Sequence, residues 1–302
     1  MDTRVGFIGL GFMGCKMAKN IMKKGFPLVC YDLREEAMNL LVKEGAEAAT
    51  SAAEVARKTE VIITMLPATK EVEQVALGPG GIIEGIRPHS VYINMSTSSP
   101  LLTRKIAEIF KAKGADVIGA PVSGAPKAES GTMTIIAGGD PKVLERCRPI
   151  LQTMGSNIFL AGGIGAGETV KIVNNLLVGV FVNAISEALV LGVKAGVDPD
   201  TLVEILEKSG GNSNVLQRHM KQHALQADFG EGRFSVDYMK KDLELALDLG
   251  KDLNVPTLFG SLANQMYEFA RAKGKAANYH PVVISVWEDL VGVKVRSKGV
   301  KD

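Results

Sequence analysis

Hydrophobic periodicity changes once along the chain. In the first half, short apolar runs of strand length (RVGFIG, PLVCYD, EVIITMLP, SVYINMS and SNIFLAG) alternate with stretches of helical period. KMAKNIMKKG follows the first run, and REEAMNLLVKEG, ended by Gly45, follows the second. TSAAEVARKTE opens with Ser51 and Glu54 in capping-box spacing, and ATKEVEQVALG and a segment from Pro100 to Lys113 read as further helices. Asp140 and Pro141 cap another. From AGGIGAGETVKIVNNLLVGVFVNAISEALVLG onward, every amphipathic stretch has helical spacing. The order predicts an α/β fold: a doubly wound parallel sheet over residues 1–162, then an all-helical domain over 163–302 that opens with a long interdomain helix.

That helix organises the rest. It is almost wholly apolar between Gly162 and Gly192, yet it carries Lys171, Asn174, Asn175, Asn183 and Glu187. A buried ammonium or amide is costly without a partner or a purpose. Lys171 and Asn175 stand four apart, on one face, where an amine and an amide can converge on one small molecule. The junction of two domains is a favoured place for a ligand cleft. A snorkelling lysine beside asparagines at a helix contact is the ordinary alternative. The polar interruptions favour a buried core helix over a membrane span.

In the helical half, DPDTLVEILEKSGG is capped by Asp198 and Pro199. His219 and His223 share one face of RHMKQH, but Met220 stands where a zinc-protease pair would carry glutamate, so a solvated face is expected and no metal. Lys240, Lys241 and Asp242 form a charge cluster of the kind that is usually solvated, and the tail VRSKGVKD is expected to fray.

Composition narrows the class without naming the chemistry. The 302 residues carry a formal charge of +2 with no basic cluster, which predicts neither a nucleic-acid nor a membrane partner. MDTRVGFIGLG enters a strand directly, without the pattern of a signal peptide, so the expected address is cytoplasmic. Cys15, Cys30 and Cys147 have neither an even count nor metal spacing and read as reduced thiols in or near the core.

The chemistry begins at Gly9, Gly11 and Gly14, which follow the first strand at G-x-G-x-x-G spacing and lead into a helix. One glycine makes the turn, one lets backbone approach a pyrophosphate, and one allows close strand-to-helix packing, with helix amides facing the phosphates. Asp32 ends the second strand about 20 residues on, where a carboxylate accepts from an adenosine ribose. A dinucleotide site follows. Asp32 would repel the extra phosphate of NADP, which favours NAD; Arg34, two residues on, could instead meet that phosphate. Leu66, Pro67, Ser96 and Thr97 fall at strand C-termini, the ligand-binding edge of a parallel sheet, though each also suits a turn. Ser123 and Gly124 sit between apolar segments, either as a nest for a carboxylate or as a turn that needs Gly124 for its backbone angles.

With the glycine fingerprint, APVSG, GAGETVKIVNN and KKDLELAL in order, the chain resembles the β-hydroxyacid dehydrogenases over nearly its entire length. The resemblance implies a Rossmann domain, an interdomain helix and a helical domain that supports homodimers or homotetramers. By motif, Lys171 corresponds to the catalytic lysine and Asn175 to the substrate-orienting asparagine. Ser123 and Gly124 match the substrate-carboxylate turn. Gly9, Gly11 and Gly14, with Phe12 and Met13 between them, and Leu66, Pro67 and Thr97 match cofactor positions. Lys241 matches the lysine of a Lys-Asp-Leu motif that serves substrate and nicotinamide. The chain departs at Gly119 and Asn94, where aspartates are common, and at Ala125, where a second glycine is usual. EALVLGVKAG and VWEDLVGVKV are also similar to the 2-(hydroxymethyl)glutarate dehydrogenases, which would imply a dicarboxylic substrate, with Asn212, Ser213, Asn214 and Arg218 as candidates for its second carboxylate.

The implied reaction is hydride transfer between a nicotinamide and the carbinol carbon of a 3-hydroxy acid, or the matching semialdehyde, with Lys171 as general base or acid. Free lysine, with a pKa of about 10.4, is a poor base at neutral pH. Burial and the cationic oxidised nicotinamide would both lower that value. Reduction of tartronate or succinic semialdehyde is the rival within the family. A non-catalytic dinucleotide-binding scaffold is the rival outside it.

Overall fold

Alternate residues of the four strands at 5–8, 28–31, 61–64 and 91–94 face opposite ways, and both ways are buried. Val5 and Phe7, Leu28 and Cys30, Val61 and Ile63, and Val91 and Ile93 belong to one apolar cluster; Ile8, Val29, Ile62 and Tyr92 belong to a second. A strand buried on both faces is the mark of a sheet covered by helices on each side. The computed structural model describes residues 3–300. It orders them into β1 (Val5–Ile8), α1 (Phe12–Lys23), β2 (Leu28–Tyr31), α2 (Glu35–Val42), β3 (Glu47–Ala48), α3 (Ala52–Lys58), β4 (Val61–Thr64), α4 (Thr69–Leu77), β5 (Val91–Asn94), α5 (Pro100–Lys111), β6 (Asp116–Gly119), β7 (Val122–Ser123), β8 (Met133–Gly138), α6 (Pro141–Leu151) and β9 (Gly155–Gly162). The strands run in the order β3-β2-β1-β4-β5-β6, all parallel. This is the dinucleotide-binding arrangement, with the order reversing between β1 and β4.

The sheet is not parallel throughout. Gly119↔Gly138, Val122↔Ile135 and Ser123↔Thr134 keep one antiparallel register, so β6 and β7 act as a single interrupted strand against β8. The parallel strand β9 then pairs with β8. The two-residue β3 has no periodicity of its own and was not foreseeable. The Ser51 hydroxyl accepts from the Glu54 amide, as the capping spacing predicts, but Glu54 reaches back to the Thr50 amide rather than to Ser51.

The remaining elements are α7 (Ala166–Lys194), α8 (Pro199–Glu207), a π-helix over Leu216–Ala224, α9 (Val236–Asp252), α10 (Leu258–Ala272) and α11 (Ile284–Val291). The chain forms two compact units, Met1–Lys171 and Ile172–Asp302. The first turns of α7 belong to the sheet-bearing unit, because a side chain at Gly167 would lie 2.8 Å from the Gly119 carbonyl oxygen and 3.1 Å from the Gly138 amide. The second unit is built around Val182, Leu189, Met220, Met239, Leu243 and Tyr267.

Three expectations are corrected. The long helix is not a buried core helix: Val170, Val173, Leu177, Phe181 and Leu191 are exposed, and 33% of its most apolar stretch is buried. By length and composition it is apolar enough to cross a membrane, but its Glu168, Asn175 and Asn183 are hydrogen-bonded within the fold. The histidines do not form a solvated face. His219 Nδ1 lies 2.6 Å from the Tyr279 hydroxyl and its ring 5.0 Å from that of His280, because the π-wound turn presses this face onto the Tyr279–His280 segment. Among the described residues no cluster suited to a metal ion occurs. The tail is held rather than frayed as far as residue 298: Val295 is fully buried, Arg296 pairs with Glu288, and Asp200 accepts from the Lys298 amide at 3.1 Å. Lys301 and Asp302 lie outside the described residues.

Candidate active site

The glycine turn is built as its chemistry requires. Gly9 has φ +92°, its amide donates to the Tyr31 carbonyl at 3.0 Å, and a Cβ on it would lie 2.9 Å from the Leu66 side chain. Gly14 backs onto the Gly9 carbonyl too closely for any side chain. Gly11, the N-cap of α1, faces open space, and neither a capping side chain nor an acidic residue occupies the first turn formed by Phe12, Met13 and Gly14. The helix N-terminus therefore offers its amides and its dipole to an anion, and a dinucleotide pyrophosphate fits.

Asp32 stands just beyond β2. Its Oδ2 accepts from the Leu10 amide at 2.7 Å and its Oδ1 from the Arg34 amide at 2.9 Å. Burial opposes its charge, but the hydrogen bonds from Arg34 and Leu10 outweigh burial and hold the carboxyl below its usual range. Arg34 lies against Asp32, with Nε 3.0 Å from Oδ1. The arginine is thus already engaged by the Asp32 carboxylate.

The strand tips are tied to one another. The Leu66 amide donates to Ser96 Oγ at 2.9 Å, and the Ser96 amide to Asn94 Oδ1 at 3.2 Å. Ser96 is fully buried, so it acts as a tie and not as lining; Pro67 is exposed and Thr97 half-buried at the same edge. Ser123 ends β7, and Gly124 follows with φ +92° and ψ 51°, so the turn does need glycine.

Lys171 and Asn175 sit on successive turns of α7, 9% and 4% exposed. Burial of both, on one helical face, is the feature that spacing predicts. Asn175 is fixed at both ends: its Nδ2 donates to Asp242 Oδ2, and its Oδ1 accepts from Asn174 Nδ2 at 2.9 Å. Asp242 is 1% exposed and carries Lys241 Nζ 2.9 Å from its Oδ1. The charge cluster is therefore not a solvated face; α9 turns it inward toward α7 because Asp242 has the Asn175 amide to meet. Of the candidates for a second carboxylate, Ser213 instead caps the following helix, accepting from the Leu216 amide at 3.0 Å, and Asn212 accepts from Gln217 at 3.1 Å.

A second buried carboxyl escaped the sequence reading. Glu168, in the first turn of α7, is fully buried; its Oε1 accepts from Thr103 Oγ1 at 2.8 Å, and its Oε2 has no hydrogen-bond partner among the described residues. Burial pushes its carboxyl up to about 7, against the pull of its own backbone amide, Thr103, Asn94 and Arg104. The available signal was a glutamate one turn before Lys171 in an otherwise apolar helix, which passes for ordinary N-terminal helix chemistry.

Comparison with known proteins decides the family. The family model for the NAD binding domain of 6-phosphogluconate dehydrogenase matches residues 4–163, and that for the NAD-binding of NADP-dependent 3-hydroxyisobutyrate dehydrogenase matches residues 165–287. The 2-(hydroxymethyl)glutarate dehydrogenase of Eubacterium barkeri is 42% identical over 97% of this chain and 98% of its own. The chain belongs to the β-hydroxyacid dehydrogenase family. The 3-hydroxyisobutyrate dehydrogenase of Pseudomonas aeruginosa is 39% identical over 88% of this chain and 91% of its own length. The Mycobacterium tuberculosis 3-hydroxyisobutyrate dehydrogenase, solved with L-serine, superposes with a TM-score of 0.88 at 30% identity, covering 95% of this chain and 99% of that one. As a β-hydroxyacid dehydrogenase, the chain is an NAD(P)-dependent oxidoreductase with a Rossmann domain and a helical C-terminal domain.

Proposed function

We propose that this dehydrogenase oxidises a small 3-hydroxy acid to its semialdehyde with NAD, using Lys171 as general base. The observation that carries the reading is the pairing of two buried polar groups, Lys171 and Asn175, on successive turns of one helix, with Asn175 held in place by Asp242. A bound nicotinamide would supply the acceptor for the hydride that leaves the carbinol carbon. As the C–H bond breaks, the hydroxyl proton passes to Lys171 Nζ; in the reverse direction the same ammonium returns it. Asn175, its amide already oriented, keeps hydroxyl and amine in line. Ser123 and Gly124 supply a hydroxyl and backbone amides for the substrate carboxylate. Lys241, held by Asp242, keeps the role that its motif implies, a cation for substrate and nicotinamide. Gly9, Gly11, Phe12, Met13, Gly14, Leu66, Pro67 and Thr97 frame the cofactor. Asp32 favours NAD, because its carboxylate is charged and Arg34 is bound to it.

Similarity to a 2-(hydroxymethyl)glutarate dehydrogenase, 42% identical over 97% of the chain, supports a second reading, a substrate with two carboxylates. The exposed Arg218 would then meet the second one. Three free thiols, of which Cys30 and Cys147 are buried and raised to about 11 by desolvation, support a reducing, cytoplasmic compartment. The exposed apolar residues of α7 and those of α10, Leu258, Phe259 and Leu262, support a homo-oligomer in which a second copy covers them.

A spectrophotometric NADH assay over 3-hydroxyisobutyrate, L-serine and 2-(hydroxymethyl)glutarate tests the reading. Turnover with at least one of them is expected. Tight NAD binding with no turnover on any would instead support a non-catalytic dinucleotide-binding scaffold.

A further inference from the structure

Glu168 joins the turn that carries Lys171 to the strand tips through an unbroken set of side chains. Thr103 of α5 donates to Glu168 Oε1 at 2.8 Å, Asn94 Nδ2 at the end of β5 donates to Thr103 Oγ1 at 3.3 Å and to Ser98 Oγ at 2.9 Å, and Asn94 Oδ1 accepts from the Ser96 amide, whose hydroxyl accepts from Leu66. All of these side chains are fully buried except that of Leu66, which enters through its amide. On the β6 side the carboxyl fills the space next to Gly119, where a Cβ would lie 2.5 Å from Glu168 Cδ. The space a side chain at position 119 would occupy is thus filled from the helix.

We propose that Glu168 is a positioning residue for Lys171: its carboxyl anchors the lysine-bearing turn to the cofactor-side strand tips, and its charge sets where the acid limb of the pH–rate profile falls. The inference rests on the reading of Lys171 as general base. The groups that face Glu168 are few. Arg104 on α5 favours its charged form, Tyr92 on β5 is kept from ionising first by burial and then by the Glu168 charge, Lys171 follows three residues on along the same helix, and β6 presents Gly119. Burial raises its carboxyl to about 7, so it changes charge near neutrality. Below the transition the acid is neutral; above it, the carboxylate favours the ammonium form of a lysine one turn away and delays its release of a proton.

The test compares pH–rate profiles of the full chain. Glu168→Gln keeps the size of the side chain and the acceptor for Thr103, and should move the acid limb down by about half a pH unit or more with the KM for NAD unchanged within about twofold. Thr103→Val breaks the anchor and should lower kcat about fivefold or more at a constant KM for NAD. An infrared titration of the unsubstituted protein should show a protonated-carboxyl band that disappears as pH rises through about 7, and that band should be missing from Glu168→Gln. The band needs no turnover and does not depend on a variant that folds poorly. A superimposable Glu168→Gln profile, an unchanged kcat in Thr103→Val, or the absence of a band titrating near neutrality overturns the proposal. Lys171→Ala, run in parallel, separates the two failures: turnover there removes the general base itself, whereas its loss beside an unshifted Glu168→Gln profile removes only the positioning role.

Discussion

Asp32 does two things with one carboxylate. It anchors the glycine turn through the Leu10 amide, and it presents negative charge at the end of β2 with Arg34 folded against it. Replacing it with alanine should leave the fold intact but lower the ratio of NAD to NADP catalytic efficiency by about tenfold or more, the worth of a charged hydrogen bond or two. A variant whose cofactor ratio matches that of the unsubstituted enzyme would remove Asp32 from selectivity. Residues of this kind were legible in the sequence because local backbone geometry fixes them: a glycine at φ +92° and a carboxylate at a strand end announce themselves within a short window. Glu168 did not, because its partner Thr103 is 65 positions away and the space beside Gly119 becomes visible only when β6 and α7 meet. The histidines failed for a related reason. Spacing shows that His219 and His223 share a face, but not that Tyr279 and His280 pack on it.

At the scale of elements, α7 and α9 are locked by the bond between Asn175 and Asp242, with Lys241 on the remaining oxygen. Removing the carboxylate leaves an amide and an ammonium, both largely buried, without their common partner. Asp242→Ala should therefore lose about 2 kcal/mol or more of unfolding free energy in urea titration, besides any effect on turnover. An unchanged midpoint and slope would show that the lock contributes nothing. Periodicity and capping residues marked nearly every helix: Ser51, Asp140 and Asp198 each cap where they were expected to, accepting from Glu54, Lys142 and Thr201 amides. The antiparallel turn of β7 and β8 was not legible, since an apolar run shows burial and not direction. Nor was the π-winding of Leu216–Ala224, where packing onto the Tyr279–His280 segment overrides local preference. The tail was misjudged because its composition is that of a frayed end, while its order comes from Glu288, eight residues before Arg296, and from Asp200, 98 positions before Lys298.

For the whole molecule, the proposed homo-oligomer is the one in which a second copy covers the exposed apolar stripe on α7 and the 76% exposed Phe259 on α10. A charged substitution at the middle of the stripe, Leu177→Glu, should shift the protein toward monomer in sedimentation velocity at concentrations where the unsubstituted chain is associated. A monomeric unsubstituted chain, or a variant that assembles equally well, would contradict the assignment. The proposed chemistry rests less on assembly than on one amine. The decisive measurement is the turnover of Lys171→Ala with its best 3-hydroxy acid, alongside NAD binding by fluorescence. Loss of about 100-fold or more in kcat with NAD affinity retained is the predicted result, the scale of a lost general base. Turnover within a few-fold of the unsubstituted enzyme would contradict it.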